Sequence, residues 1–404
     1  MGLIKVVNEK PVHLVLSKDR VRSVKRGHPW IFPEVLRELP KAPAGSLALL
    51  KTVDGEILAK GFYDPGSKLA FRTFALQREK LDEQLVTARL ERAAELRDAL
   101  FQPYDTTNGF RLINGEGDGL PGLVVDVYDT AAVMKLDGAG AESFYNAEEL
   151  ASWLTCRLPR LRTVFLKYRS GEEARGKLLS GQTPAPDQPV RFLENQVHFQ
   201  VDIVQGQKTG FFLDQRDNRS FVGRLSRGKR MLNVFGYTGG FSVYAGIGGA
   251  RHVTTVDVGR AALSYATSNW ALNGLVPDRH EATAEDAFEF LEAATKAREK
   301  WEVVVIDPPS FAPNKQAVEK ARASYTRLFA AAAAVTAPHG FLSLASCSSH
   351  IDAPTFMEIC EEALGRARRQ GYVLRVAGQP ADHPFPAAAH ELSYLKFITF
   401  RMTG

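Results

Sequence analysis

The sequence predicts an α/β protein: a mainly parallel sheet covered by helices in its carboxyl-terminal part, with a small all-β domain and a middle α/β segment before it. Three observations predict this. From about residue 190, apolar strands alternate with helices. The first of those strands runs straight into a glycine-rich turn. The first 75 residues hold short strands split by turn residues and no long helix. The domains expected are 1–75, 76–190 and 191–404. With 404 residues, the chain is long enough for two or three cores.

In the first domain, His13-Leu14-Val15-Leu16, Ser46-Leu47-Ala48-Leu49-Leu50, Gly61-Phe62-Tyr63 and Leu69-Ala70-Phe71-Arg72-Thr73-Phe74 read as strands. Asp54-Gly55 is a hairpin signal between two of them. Such strands suggest a small barrel. Residues 1–75 carry 13 Lys+Arg against 7 Asp+Glu, a net +6, whereas the whole chain is only +5. Lys18, Arg20, Arg22, Lys25 and Arg26 crowd into nine of these residues. A basic end on a near-neutral body predicts a polyanion contact.

The middle segment begins with Leu81, Leu85, Leu90, Leu96 and Leu100, spaced for an amphipathic helix. Asn114-Gly115-Glu116-Gly117-Asp118-Gly119 is a turn cluster. It reads as a hairpin turn rather than a phosphate loop, because no Lys-Ser/Thr follows the glycines. A strand at 123–128, a helix at 147–157 and a strand at 163–167 follow. Residues 170–189 are polar and rich in Gly and Pro, which predicts a loop or long hairpin.

In the third domain, strands are expected at 231–235, 252–257, 301–307 and 340–346, with helices at 241–248, 260–273, 284–297, 315–334 and 354–370. Met231-Leu232-Asn233-Val234-Phe235 leads into Gly236-Tyr237-Thr238-Gly239-Gly240. A glycine turn at the carboxyl end of the first strand lets a ligand approach the backbone. Asp257 ends the next strand, where a carboxylate can hold both ribose hydroxyls. A dinucleotide site wants G-x-G-x-x-G, whereas this turn reads G-x-x-G-G. It resembles motif I of class I methyltransferases, whose ligand carries no phosphate. Phe235, Gly236, Tyr237, Thr238, Gly239, Asp257, Asp286 and Asp307 are the expected cofactor residues. Asp286 would meet an adenine amino group in such enzymes and otherwise reads as a helix N-cap.

Asp307-Pro308-Pro309-Ser310-Phe311 ends the fourth strand, and the prolines fix an extended loop at the sheet's ligand edge. Asp/Asn-Pro-Pro occurs in amino-group methyltransferases, usually with an aromatic next; here Ser310 intervenes. Ser346-Cys347-Ser348 ends the fifth strand. Cys156 and Cys360 fit structural roles, whereas Cys347 lies where the sheet presents its ligand face. A thiolate adding to carbon 6 of a pyrimidine makes carbon 5 nucleophilic toward a methylsulfonium. A base must then take the carbon 5 proton. Glu391, in His390-Glu391 before the final apolar strand, and Asp307 are the rival bases. The Pro384-Phe385-Pro386 and His390-Glu391 run is similar to an element of uracil-5 RNA methyltransferases in which the glutamate is the base.

Taken together, the chain resembles bacterial 23S ribosomal RNA cytosine-5 methyltransferases with an N-terminal PUA domain, over essentially its whole length. Lys18-Asp19-Arg20 and Gly27-His28-Pro29-Trp30-Ile31-Phe32 resemble the start of that PUA domain. The run 114–122 resembles the family's middle domain. Gln207-Lys208-Thr209-Gly210-Phe211-Phe212-Leu213-Asp214-Gln215-Arg216 is the most specific signature. The resemblance implies a Rossmann-like class I methyltransferase domain, S-adenosylmethionine as cofactor, and Lys208, Thr209, Gly210 and Phe211 beside it. It implies 23S ribosomal RNA or the large subunit as partner, contacted by Lys18, Arg20, Arg22, Lys25 and Arg26. It admits a homodimer, and it implies no metal and no membrane. A related guanine-N7 methyltransferase shares Phe-Leu-Asp-Gln-Arg and Asp-Pro-Pro without Ser-Cys-Ser, so Cys347 separates the two.

Composition agrees with this reading. Hydrophobic residues are 45% and charged residues 24%, no apolar run is long enough to span a bilayer, and residues 1–10 lack a signal-peptide core. Three cysteines without metal spacing fit a reduced cytoplasmic setting. The competing expectations are a ribosome-assembly protein without activity and a nicotinamide oxidoreductase.

Overall fold

The computed structural model describes residues 2–17, 19–168, 176–185, 188–312 and 314–404. They form two compact units. The first comprises Met1–Gln196, Val201–Leu213 and Ala381–His390, and the second Val197–Gln200, Asp214–Pro380 and Glu391–Gly404.

The first unit opens with β1 (Val12–Val15), α1 (Val21–Lys25), β2 (Trp30–Ile31), β3 (Ser46–Lys51), β4 (Ile57–Tyr63) and β5 (Phe71–Leu76). They build a five-stranded sheet in the order β1-β3-β4-β5-β2. β3 alternates buried and half-buried residues, as a sheet with one face on a core requires. The expected turn holds: Gly55 has φ +87°, a conformation glycine adopts without strain.

A second sheet follows, made of β6 (Gly109–Asn114), β7 (Leu123–Tyr128), β8 (Ala131–Leu136), β9 (Thr163–Lys167) and β10 (Gly176–Gly181). α2 (Glu83–Phe101), α3 (Ala139–Phe144) and α4 (Ala147–Arg157) accompany it. The helix expected near 81–100 is present, but it buries a different face. Val86, Leu90, Ala93 and Arg97 point inward at helical spacing, whereas Leu96 and Leu100 are exposed. Arg97 is fully buried because Asp118, on the turn between β6 and β7, pairs with it through both oxygens. Within the stretch expected as a loop or long hairpin, β10 is a strand that pairs antiparallel with β9, as the hairpin alternative requires. Residues 169–175 and 186–187 of that stretch lie outside the described residues. β11 (Val190–Glu194) belongs to the first unit, whereas Val197–Gln200 of β12 (Val197–Val201) belongs to the second.

The second unit holds α5 (Arg216–Leu225), β13 (Arg230–Val234), α6 (Gly240–Ile247), β14 (His252–Asp257), α7 (Arg260–Leu272), β15 (His280–Ala284) and α8 (Ala287–Lys296). It continues with β16 (Trp301–Ile306), α9 (Val318–Val335), β17 (Thr336–Ser346), α10 (Ala353–Arg366), β18 (Gly371–Ala377) and β19 (Lys396–Met402). The sheet order is β15-β14-β13-β16-β17-β19-β18. The first five strands run parallel, and β19 and β18 are antiparallel additions.

Side-chain alternation splits its core into two layers. Leu232, Val234, Val304 and Ile306 face α8, α9 and α10, while Met231, Val303 and Val305 pack against α5, α6 and α7. Helices on both faces are why these strands read as continuous apolar runs. The chain leaves β13 for β14 on one side and later returns through β16 on the other. Strand order therefore reverses beside β13, and ligands in such sheets bind at the carboxyl ends of the strands at that point. No described helix is long and apolar enough to cross a membrane.

Candidate active site

The glycine turn after β13 is shaped by its packing. A Cβ on Gly236 would lie 2.3 Å from Thr255 Cγ2, and one on Gly239 would lie 2.8 Å from Ala266 Cβ. Phe235 and Tyr237 adopt positive φ of 60° and 47°. Each such conformation costs a bulky residue roughly 1–3 kcal/mol, so the surroundings must impose it. They do so through three hydrogen bonds. Gly236 N donates to Val256 O at 3.0 Å, Gly239 N to Gly236 O at 2.8 Å, and Tyr237 N to Asp257 Oδ2 at 2.9 Å. Asn269 Nδ2 holds Thr238 O at 3.0 Å, while Thr238 Oγ1 is buried without a partner among the described residues.

A polar chain underlies the turn. Asn233 Nδ2 donates to Ser242 Oγ, which meets Thr255 Oγ1, which meets His280 Nε2 at 2.8 Å. His280 stacks on Trp270 with centroids 4.7 Å apart. Burial, helped by His252 nearby, pushes His280 down to about 4, so the ring is neutral at pH 7.

Carboxylates stand at the ends of successive strands. Asp257 closes β14, is half-buried, and accepts Gly259 N at 2.8 Å through Oδ1. Asp286 follows β15. It caps α8, with Oδ1 accepting Phe288 N at 2.8 Å and Glu289 N at 3.3 Å, and it is exposed. The N-cap reading of Asp286 therefore holds, and its exposed carboxylate keeps unused acceptor capacity. Asp307 follows β16, half-buried, with Oδ2 accepting Gln215 Nε2 at 3.0 Å. Asn218 Nδ2 orients that glutamine by donating to its Oε1 at 2.7 Å.

Cys347 directly follows β17 and is half-buried. Hydroxyls surround its loop. Ser346 Oγ donates to Tyr325 Oη at 3.1 Å, Tyr325 Oη meets Ser348 Oγ at 3.0 Å, and Ser348 Oγ meets Ser310 Oγ at 2.8 Å. Tyr325, buried in α9, thereby ties the loop after β16 to the loop after β17. Opposite Ser346 in the sheet register is Lys396, whose Nζ donates to Ser348 O at 2.6 Å and Tyr394 O at 2.7 Å. Tyr394 Oη in turn donates to Asp214 Oδ2 at 2.8 Å. The other cysteines differ. Cys360 is fully buried with its thiol pushed far up by burial, and Cys156 is exposed on α4.

Asp257, Asp307 and Cys347 thus stand at the carboxyl ends of neighbouring or near-neighbouring strands of one sheet. Glu391 lies in a 3-10 turn (His390–Leu392) and is half-buried. Lys208, Thr209, Gly210 and Phe211 belong to the first unit. There Thr209 Oγ1 donates to Asp126 Oδ2 at 2.6 Å, Phe211 N donates to Tyr128 Oη at 3.1 Å, and Lys208 Nζ lies 4.9 Å from the Phe212 ring centre. Also in the first unit, Arg20, Arg22 and Arg26 line a cavity of about 670 Å³ with Ser23 and His390. Lys25 pairs with Glu56 at 2.9 Å, and Lys18 lies outside the described residues.

Sequence reasoning assigned no role to Asp214, Gln215, Tyr325, Tyr394 or Lys396. Asp214 and Gln215 stood inside the signature run quoted above, which was the available signal. Tyr325 and Lys396 carried none, because their partners are remote in sequence.

A family model described as S-adenosylmethionine-dependent methyltransferase matches residues 147–400, and one described as PUA-like domain matches residues 14–75. The Ribosomal RNA large subunit methyltransferase I of Aeromonas salmonicida is 36% identical over 397 residues, spanning 96% of this chain and 99% of the relative. The Ribosomal RNA large subunit methyltransferase of Deinococcus radiodurans is 36% identical over 403 residues, 97% of each. A Streptococcus mutans structure described as a SAM-dependent methyltransferase superposes with a TM-score of 0.83 at 21% identity, covering 96% of this chain and all of that one. Another methyltransferase structure, complexed with SAH, gives 0.85 at 22% identity over the same shares. These two likenesses show the fold.

Proposed function

The chain belongs to the S-adenosylmethionine-dependent methyltransferase family and carries a PUA-like domain, and we propose that it methylates carbon 5 of a cytosine in large-subunit ribosomal RNA through a Cys347 adduct. The RNA substrate is supported by relatives whose names specify ribosomal RNA of the large subunit. The carbon 5 chemistry is carried by one observation: a half-buried thiol at the carboxyl end of β17, next in the sheet to the strand that ends at Asp307.

The cofactor is S-adenosylmethionine, and the donor set suits it. The ligand is a cation bearing a ribose diol and an adenine amine, and the strand ends offer carboxylates together with the orphaned Thr238 hydroxyl. Phe235, Gly236, Tyr237, Thr238 and Gly239 would line its amino-acid side, Asp257 its ribose, Asp286 its adenine and Asp307 the reacting end. Lys208, Thr209, Gly210 and Phe211 are assigned beside it on family resemblance. When bound, the cofactor supplies an electrophilic methyl group to carbon 5 and departs as a neutral thioether.

Cys347 supplies the rest. Its thiolate forms the S–C6 bond, and the displaced π electrons enrich carbon 5. After methylation, a carboxylate takes the carbon 5 proton; the electron pair of that C–H bond re-forms the C5–C6 double bond and expels the thiolate. Glu391 and Asp307 are the two candidates for that carboxylate. The target base must be unstacked, since a stacked ring hides carbon 6. Arg20, Arg22, Lys25, Arg26 and Lys18 are assigned to the RNA backbone, whose contacts position without choosing the base.

The test is methyl transfer from labelled cofactor to unmodified large-subunit RNA, followed by nucleoside analysis. 5-Methylcytidine is expected. Transfer to a guanine would assign the site to another base, and no transfer to any ribosomal RNA would remove the activity. Glu391→Gln and Asp307→Asn separate the bases: the variant that accumulates a covalent RNA band on a denaturing gel has lost the proton acceptor.

A further inference from the structure

Lys396 is a buried ammonium that the mechanism above does not use. It is 6% exposed and begins β19, directly opposite Ser346. Two of its three hydrogens go to the carbonyls of Ser348 and Tyr394. No carboxylate lies within ion-pair distance of it among the described residues, although a buried charge without a partner is costly. One hydrogen is left, on a cation held by the residue that follows Cys347.

We infer that the Lys396 ammonium is the counter-ion of the Cys347 thiolate, which makes Lys396 a positioning residue for the nucleophile. The charged groups acting on it are Cys347 and Asp352, the latter capping α10. Burial pulls Lys396 down to about 8, and charge on Cys347 and Asp352 works the other way. The ammonium is thus present through neutral pH, where it favours the ionised thiol. Tyr325, whose hydroxyl is pushed up by burial, stays a neutral hydrogen-bonding group that fixes Ser346 and Ser348 on either side of the cysteine. The carbonyl of Ser348 does double work: it anchors the ammonium and sets the loop that carries the sulfur.

The inference rests on Cys347 being the nucleophile, but its test needs neither RNA nor methyl transfer. Iodoacetamide labelling of Cys347 in the full chain, followed by peptide mass spectrometry across pH, reads the thiol directly. Cys156 serves as the exposed reference. The wild-type midpoint should lie at least about one unit below the ordinary thiol value of roughly 8.5. In Lys396→Met it should rise by about one unit or more, slowing labelling at pH 7 about tenfold, and Lys396→Arg should restore most of it. A wild-type midpoint at or above the ordinary value overturns the inference, whether or not the variants fold. So does an unmoved midpoint in a folded Lys396→Met protein. Failure of the methylation assay alone would count against the proposed reaction and leave this midpoint unchanged.

Discussion

The two halves of the second unit's sheet edge are built from different materials. Around β13, β14 and β15 the site is backbone: glycines that a Cβ would push against Thr255 and Ala266, two strained aromatics, and carboxylates that hold amides. Around β16, β17 and β19 it is side chain: one thiol, a run of hydroxyls centred on Tyr325, and a buried ammonium. A ligand bound through shape needs the first kind of construction, and a reaction needing a reactive atom needs the second. Damage to the first half should therefore appear as lost binding, and damage to the second as lost chemistry with binding intact.

The largest expected effect is at Cys347. Cys347→Ala should lower turnover by at least about a thousandfold, roughly 4 kcal/mol of transition-state stabilisation, with cofactor affinity unchanged by calorimetry. Gly236→Ala is the opposite case. Its Cβ would meet Thr255, costing about 1–3 kcal/mol in melting experiments and weakening cofactor binding about tenfold or more. If Cys347→Ala loses cofactor affinity, or Gly236→Ala keeps it and loses only turnover, the division between the halves fails.

A smaller effect should separate the halves by pH. His280 lies under the glycine turn, and its folded value near 4 is below the ordinary 6.5. The unfolded chain therefore binds the proton first, and folding is favoured above 6.5. The contribution, up to about 3 kcal/mol, should be lost as pH falls from 6.5 toward 4 and change no further below that. Melting of wild type against His280→Gln measures it. Parallel pH curves for the two proteins would show that the ring is not held neutral.

The backbone half was also the legible half. An apolar strand running into Gly236, and further strands ending at Asp257 and Asp307, mark themselves locally, since the strand period and the turn residues sit side by side. Cys347 was legible for the same reason. The ring of groups around it was not, because Tyr325 lies 21 residues before Ser346 and Lys396 lies 48 beyond Ser348. Only the sheet register and the packing of α9 bring them together. α2 shows the same limit. Its leucines at 96 and 100 pointed to one face, but Arg97 turned inward because Asp118, from a distant turn, neutralises it. β18 went unseen as well: Tyr372, Leu374 and Val376 are exposed on an edge strand, where apolar residues give no inside-outside pattern.

The central claim is that the Cys347 sulfur bonds to carbon 6 of the target cytosine, and RNA carrying 5-fluorocytidine tests it most directly. Fluorine at carbon 5 cannot be removed as a proton, so the adduct should persist. Mass spectrometry should find RNA linked to the peptide containing Cys347 in a cofactor-dependent manner, and no link in Cys347→Ala. Undiminished methylation of ordinary RNA by Cys347→Ala, or a link through any other residue, would contradict the account.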